Sequence, residues 1–180
     1  MAAMLPVHVV HTADLDTSTR SAARRLLDEV FAPDMTDEDW EHCLGGLHTL
    51  VWDGAELVGH AAIVQRRLLH GGRALRTGYV EGVAVRADRQ RGGIGSAMLA
   101  ELVRIARGAY DLAALGSTDS AVPFYTAHGW QPWRGRTYAL TPDGIRRTPE
   151  EDDGIYVLPL AVPVDVSGEL VADWREGDVW

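Results

Sequence analysis

Hydrophobic positions recur at helical spacing over residues 18–31: Ala22, Ala23, Leu26, Leu27, Val30 and Phe31 share one stripe, with Arg24, Arg25 and Asp28 between them. The pattern predicts a helix that Pro33 closes. Upstream, residues 5–12 form a short β-rich run, and residues 14–17 offer caps. A second helix is predicted over 36–44. Thr36 suits its N-cap, Asp37, Glu38 and Asp39 suit a first turn that favours acidic groups, and Gly45-Gly46 suit its end. The spacing then changes. Residues 47–52, a turn at Asp53-Gly54 and residues 56–69 read as a hairpin, and His70-Gly71-Gly72 turns the chain into a further strand over 74–85. Beyond it a helix (93–107), a strand (111–115) and a helix (120–128) alternate, followed by β-rich pieces at 136–140 and 155–160. An antiparallel meander feeding a β-α-β-α unit predicts an α/β (α+β) fold, with a mixed, mostly antiparallel central sheet flanked by helices.

The 180 residues suit one compact domain, 1–180, with enough apolar content for a core that needs no disulfide or structural metal. Cys43 is the only cysteine, so no intrachain disulfide forms and a reducing compartment is expected. The opening residues carry no basic segment followed by a long apolar stretch, and no apolar run approaches the roughly 20 residues that span a bilayer. The expected setting is the cytoplasm, away from membranes. A net charge of −9 argues against a nucleic-acid surface, which needs a basic stripe. It suits a cationic ligand, although many cytoplasmic proteins are equally acidic.

Residues 78–98, GYVEGVAVRADRQRGGIGSAM, are the most informative stretch. A strand ends near Val85, a polar loop follows, and a helix begins around Gly93 with an apolar stripe through Ile94, Met98, Leu99, Leu102, Val103 and Ala106. Gln90-Arg91-Gly92-Gly93-Ile94-Gly95 sits at the junction. Glycines let the backbone approach an anion, and the unpaired N–H groups of the first helical turn point toward it. Arg89 and Arg91 add positive charge, so a pyrophosphate would fit. A glycine-rich turn that merely starts a helix has the same local pattern. The motif is neither a P-loop, which ends in Gly-Lys-Ser/Thr, nor the dinucleotide GxGxxG. In the preceding strand, Gly78 and Gly82 suit a bulge, a close approach or a tolerated kink. Glu81, beside Val80 and near Val83, is costly there unless it is hydrogen-bonded, faces a cleft or alternates outward to solvent.

Gln90-x-x-Gly93-x-Gly95 resembles the Gln/Arg-x-x-Gly-x-Gly/Ala signature of the GCN5-related N-acetyltransferase (GNAT) superfamily. VHTADLD (10–16), DWEHCLGG (39–46), GYVEGVAVRAD (78–88), GWQPWRG (129–135), RTPEEDDG (147–154) and DWREGDVW (173–180) resemble the aminoglycoside 2′-N-acetyltransferases over nearly the whole chain. The resemblance implies a GNAT fold with splayed central strands. It also implies acetyl-CoA (coenzyme A) as cosubstrate, no metal, and direct attack by the 2′-amine of an aminoglycoside in a ternary complex. Antibiotic resistance and a homodimer are further implications.

Acetyl transfer from a thioester to an amine needs a neutral amine, a polarised carbonyl and a proton for the departing thiolate. The resemblance implies that the pantetheine arm lies along Val83, Ala84 and Val85, with the Val83 N–H at the thioester carbonyl. The pyrophosphate would lie on Gln90, Arg91, Gly92, Gly93, Ile94, Gly95 and Ser96, with Gly116 also at the cofactor. Glu81 is the implied general base, acting through water, and Tyr125 the implied acid. The alternative for Tyr125 is a core aromatic beside Phe124 and Trp130.

Acidic residues cluster at 34–39, 150–153 and 173–178, each run by itself typical of a solvated face or helix cap. The resemblance places Asp34, Asp39, Glu81, Asp152, Asp178 and the terminal carboxylate of Trp180 around the aminoglycoside, where charge-assisted hydrogen bonds hold a polyamine sugar. Asp39 equally suits the helix start alone. His42, His48, His60, His70 and His128 have no metal-ligand spacing and read as structural or surface residues, and Cys43 reads as a packed thiol. Two other functions compete. One keeps the fold and changes the acceptor to a polyamine, a protein amine or a cell-wall amino sugar. The other is a non-catalytic acetyl-CoA-binding scaffold, against which the pairing of Glu81 with Tyr125 argues.

Overall fold

The helical stripe near the start forms α1 (Thr17–Val30), whose N-cap Asp16 accepts the Thr19 N–H at 2.7 Å. Helix α2 (Asp37–His42) opens with a reciprocal capping box in which the Thr36 hydroxyl accepts the Asp39 N–H and the Asp39 carboxylate accepts the Thr36 N–H. Such a cap is worth about 1 kcal/mol, which favours so short a helix. Strand β1 (Val7–His11) precedes α1, separated from it by a 3₁₀ turn. After α2 come β2 (Leu47–Asp53), β3 (Glu56–His70) and β4 (Arg73–Val85), then α3 (Ile94–Ala109).

A computed structural model describes residues 4–180, which divide into two compact units. The first is the chain up to Val64 with Val80–Ile105, and the second is Gln65–Tyr79 with Ala106–Trp180. In the first, β1 pairs antiparallel with β2 and β2 with β3, and β3 neighbours β4. Alternation along the strands sends one set of side chains to each helix. Leu50, Leu57, Ala62 and Ala84 pack with Ala23, Leu26 and Leu27 of α1, while Val51 and Val58 pack with Ile94 and Met98 of α3. Because both faces are covered, β3 is a nearly unbroken buried run and not an alternating one.

The second unit adds β5 (Leu112–Gly116), α4 (Val122–Ala127), β6 (Gln131–Pro132), β7 (Thr137–Thr141), β8 (Gly144–Arg147), β9 (Ile155–Pro159) and β10 (Leu170–Ala172). Its strand order is β6-β9-β5-β4-β3-β10-β7-β8, with β4–β5 and β10–β7 parallel and the remaining registered pairs antiparallel. The β4–β5 ladder runs from Thr77↔Leu112 to Tyr79↔Ala114, and β4 then continues to Val85. The fold is the mixed sheet with flanking helices that the sequence predicts. It differs at α4, where a 3₁₀ turn occupies residues 119–121 and the helix is shorter than expected, and in the additional strands β6, β8 and β10. No helix among the described residues is long and apolar enough to cross a membrane.

Candidate active site

In the first unit, β4 delivers the chain into the glycine-rich loop. The Arg86 N–H bonds to the Val58 carbonyl at 2.9 Å, ending the strand, and a 3₁₀ turn covers residues 87–89. Gln90 folds back, donating from Nε2 to the Val85 carbonyl at 3.1 Å, so its side chain braces the loop. Arg91 and Gly93 both lie in the left-handed region, at φ 62° and 83°. The Ala97 N–H makes a helical bond to the Gly93 carbonyl at 2.9 Å. The N–H groups of residues 93–96 therefore precede the intrahelical ladder, the arrangement that receives anions. Arg86 pairs with Glu56 and Asp88, and Arg89 pairs with Asp53. Arg89 is thus partly neutralised, while Arg91 is exposed beside the glycines.

Glu81 is half-buried on β4, directly before Gly82. Gly82 has φ +54°, and a Cβ there would sit 2.8 Å from Cys43 Sγ. No side chain fits this kink without a shift, and the left-handed backbone disfavours one in any case. The Gly82 carbonyl lies 2.8 Å from His60 Nδ1. Ala84 packs toward α1 and Val85 toward α3, with Val83 and Val85 both half-buried. Asp39 serves the capping box, and Asp34 is exposed just after α1.

In the second unit, Tyr125 is 6% exposed on α4, with its ring against Phe124 and Trp130 at 5.2 and 6.1 Å. Burial pushes its phenol from the ordinary 10 up to about 12, still further above the neutral range in which it is already protonated. Gly116 ends β5; a Cβ there would lie 3.7 Å from the Tyr79 hydroxyl and 3.8 Å from the Trp180 main chain. That hydroxyl donates to a main-chain oxygen of Trp180 at 2.8 Å, and Arg175 donates to the same oxygen at 2.7 Å.

Asp152 and Trp180 share one network. Trp180 Nε1 donates to Thr148 Oγ1 at 3.0 Å, Thr148 donates to Thr137 Oγ1 at 2.9 Å, and Thr137 Oγ1 lies 3.1 Å from Asp152. Arg147 also grips Asp152 through two nitrogens, and with Thr137 it holds that carboxyl down at about 2. Asp178 Oδ1 accepts the Trp180 N–H at 3.0 Å. Glu151 is a residue the sequence reading did not single out. Burial raises its carboxyl, and the negative charges of Asp178 and Glu150 raise it further. Only the fold reveals that proximity, since Glu151 and Asp178 are far apart in sequence.

A helix start whose first N–H groups lie outside the helical ladder, fed by a kinked strand that carries a carboxylate on a mixed sheet, is the arrangement expected of a GCN5-related N-acetyltransferase. A family model described as an acetyltransferase (GNAT) domain matches residues 12–133. The chain belongs to the aminoglycoside 2′-N-acetyltransferase family within that superfamily. It is 48% identical over 176 residues to an aminoglycoside 2′-N-acetyltransferase of Mycolicibacterium fortuitum, covering 96% of this chain and 90% of the relative. Among solved structures, a GNAT acetyltransferase of Brucella melitensis in complex with acetyl-CoA is similar with a TM-score of 0.61 at 16% identity, covering 93% of this chain and 96% of that one. Escherichia coli ElaA is similar with a TM-score of 0.59 at 20% identity, covering 86% and 99%. These two likenesses concern the fold alone. The chain is an acetyl-transferring enzyme.

Proposed function

We propose that this enzyme moves the acetyl group of acetyl-CoA to the 2′-amine of an aminoglycoside by direct attack in a ternary complex, as a single catalytic domain over residues 1–180. The observation that carries this proposal is the 48% identity, over nearly the whole of both chains, to a relative bearing that activity in its name. Acetyl-CoA supplies an activated acyl group, and the open N–H groups of residues 93–96, with Arg91 beside them, suit its pyrophosphate. Val83, Ala84 and Val85 would line its arm, with Gly116 also at the cofactor. The Val83 N–H would polarise the thioester carbonyl. Glu81, through water, would take the proton of the attacking amine. Tyr125, which as a phenol keeps its proton at neutral pH, would supply the proton that the departing thiolate needs.

Asp34, Asp39, Asp178 and Trp180 would hold the sugar's ammonium groups, and Glu151 joins them. Asp152 would act mainly by fixing Trp180 through Thr148 and Thr137. A cytoplasmic homodimer and a part in antibiotic resistance complete the proposal.

The test is positional. An aminoglycoside with a 2′-amine should yield a product carrying acetyl on that nitrogen, located by NMR, with turnover rising from acidic to neutral pH as the amine loses its proton. A 2′-hydroxyl analogue should bind without acetylation at that position. Equal turnover of both, with acetyl on another amine, would overturn the assignment.

A further inference from the structure

Three buried polar side chains in the first unit form a line that ends on the kink of β4. Thr12 Oγ1 accepts the Gly45 N–H at 3.0 Å and lies 2.7 Å from His48 Nε2. His48 Nδ1 lies 3.0 Å from His60 Nε2, and His60 Nδ1 lies 2.8 Å from the Gly82 carbonyl. Both imidazoles are 0% exposed, with the Trp40 ring within 6.5 Å of each. Desolvation keeps them neutral: it pulls His48 down to about 3 and His60 to about 4, against a weaker opposing pull on His60 from the Gly82 carbonyl.

Neutrality and one fixed end settle every proton. A carbonyl oxygen only accepts, so His60 Nδ1 carries hydrogen. A neutral ring has one N–H, so His60 Nε2 is bare and accepts from His48 Nδ1. His48 Nε2 is then bare in turn and accepts from the Thr12 hydroxyl at 2.7 Å, the nearer of that hydroxyl's two acceptors, since the Gly46 carbonyl lies at 3.2 Å. Both rings are held in the Nδ1–H tautomer, the minor form of a free neutral imidazole in water. The line ends on an oxygen with no proton to pass on, so it is a strut and not a proton relay.

The strut acts on one peptide plane. The Gly82 carbonyl and the Val83 N–H belong to the same trans peptide, the cis bond among the described residues being at Ala32-Pro33. They point in opposite directions. Glycine at φ +54° leaves that plane easily turned, and a flipped plane would bring the Val83 N–H round to the histidine side. We propose that His60, set in its tautomer by His48 and Thr12, is a positioning residue that locks the Gly82–Val83 peptide and so aims the Val83 N–H at the acetyl carbonyl. This rests on the acetyl-transfer roles given to Val83 and Glu81 above.

Two measurements test it. Long-range ¹H–¹⁵N NMR on histidine-labelled enzyme at pH 7 should show His48 and His60 neutral and protonated at Nδ1. Either ring charged, or protonated at Nε2, would overturn the proposal whatever the variants do. Kinetics form the second arm. His60→Leu keeps the bulk and removes the donor, so kcat should fall about 10- to 100-fold, less than the roughly 100- to 1000-fold cost of deleting an oxyanion donor outright, while KM for acetyl-CoA stays within about twofold. His60→Asn places an amide N–H near the Nδ1 position and should recover most of kcat. A folded His60→Leu enzyme with unchanged kcat would sink the strut even if Glu81→Gln had abolished turnover. If the wild type releases no thiol from acetyl-CoA with an aminoglycoside present, the functional assignment fails, and the tautomers still decide the strut.

Discussion

Gly82 shows how much one residue fixes. Its φ of +54° and the 2.8 Å approach of a would-be Cβ to Cys43 Sγ are separate penalties on any side chain. Gly82→Ala should therefore lose about 1–3 kcal/mol of stability, part from the left-handed backbone and part from crowding. Adding Cys43→Ala removes the sulfur in the way and should return the crowding share only. Urea unfolding of the two single variants and the double variant separates the contributions; additive losses would show that the sulfur contact is harmless. The sequence allowed Gly82 to be a bulge, a close approach or a tolerated kink. The structure makes it a left-handed kink, with the carbonyl turned to His60. Nothing local could have signalled the histidine strut, because Thr12, His48, His60 and Gly82 lie on separate elements that only the sheet brings together.

At the scale of elements, the proposed pyrophosphate site is the junction of β4 with α3. Gly93 has φ +83° with nothing within 4 Å of a would-be Cβ, so its requirement is conformational and not steric. Gly93→Val should cost about 1–2 kcal/mol in backbone strain and rotate the first N–H groups of α3, weakening coenzyme A at least about tenfold. Titration calorimetry with coenzyme A, beside a melting curve, checks this. Unaltered affinity in a destabilised protein would place the pyrophosphate elsewhere.

Elements with one strong pattern were legible in the sequence. The stripe of α1 buries Ala23, Leu26 and Leu27 as spaced, and the box at Thr36 and Asp39 forms as its residue types demand. Strand β10 was not legible, because Leu170–Ala172 is too short for alternation and is held as a strand by pairing with β3 and β7. Helix α4 is shorter than the pattern over 120–128 predicts, since residues 119–121 take a 3₁₀ turn before it.

Across the whole molecule, a net charge of −9 meets a proposed polycationic acceptor, so binding of the aminoglycoside should weaken with added salt. Which carboxylates do the work follows from their opposite electrostatic settings. Asp152 is lowered to about 2 from 3.8, chiefly by Arg147, so it stabilises the fold above about pH 4, and that contribution disappears as pH falls through 2. Glu151 is raised, by burial first and then by Asp178 and Glu150, so its ionised form opposes folding and the penalty is relieved on acidification. A carboxylate kept where it costs stability is the better partner for an incoming ammonium, which would relieve the repulsion. Glu151→Gln should therefore raise the melting temperature at pH 7 and raise KM for the aminoglycoside about three- to tenfold, with KM for acetyl-CoA unmoved. Asp152→Asn should do the reverse, lowering the melting temperature at pH 7 with a smaller rise in the aminoglycoside KM, and losing its deficit relative to wild type near pH 2. If Asp152→Asn were the variant with intact stability and lost affinity, Asp152 would touch the sugar directly and the Arg147 pair would have to open to let it.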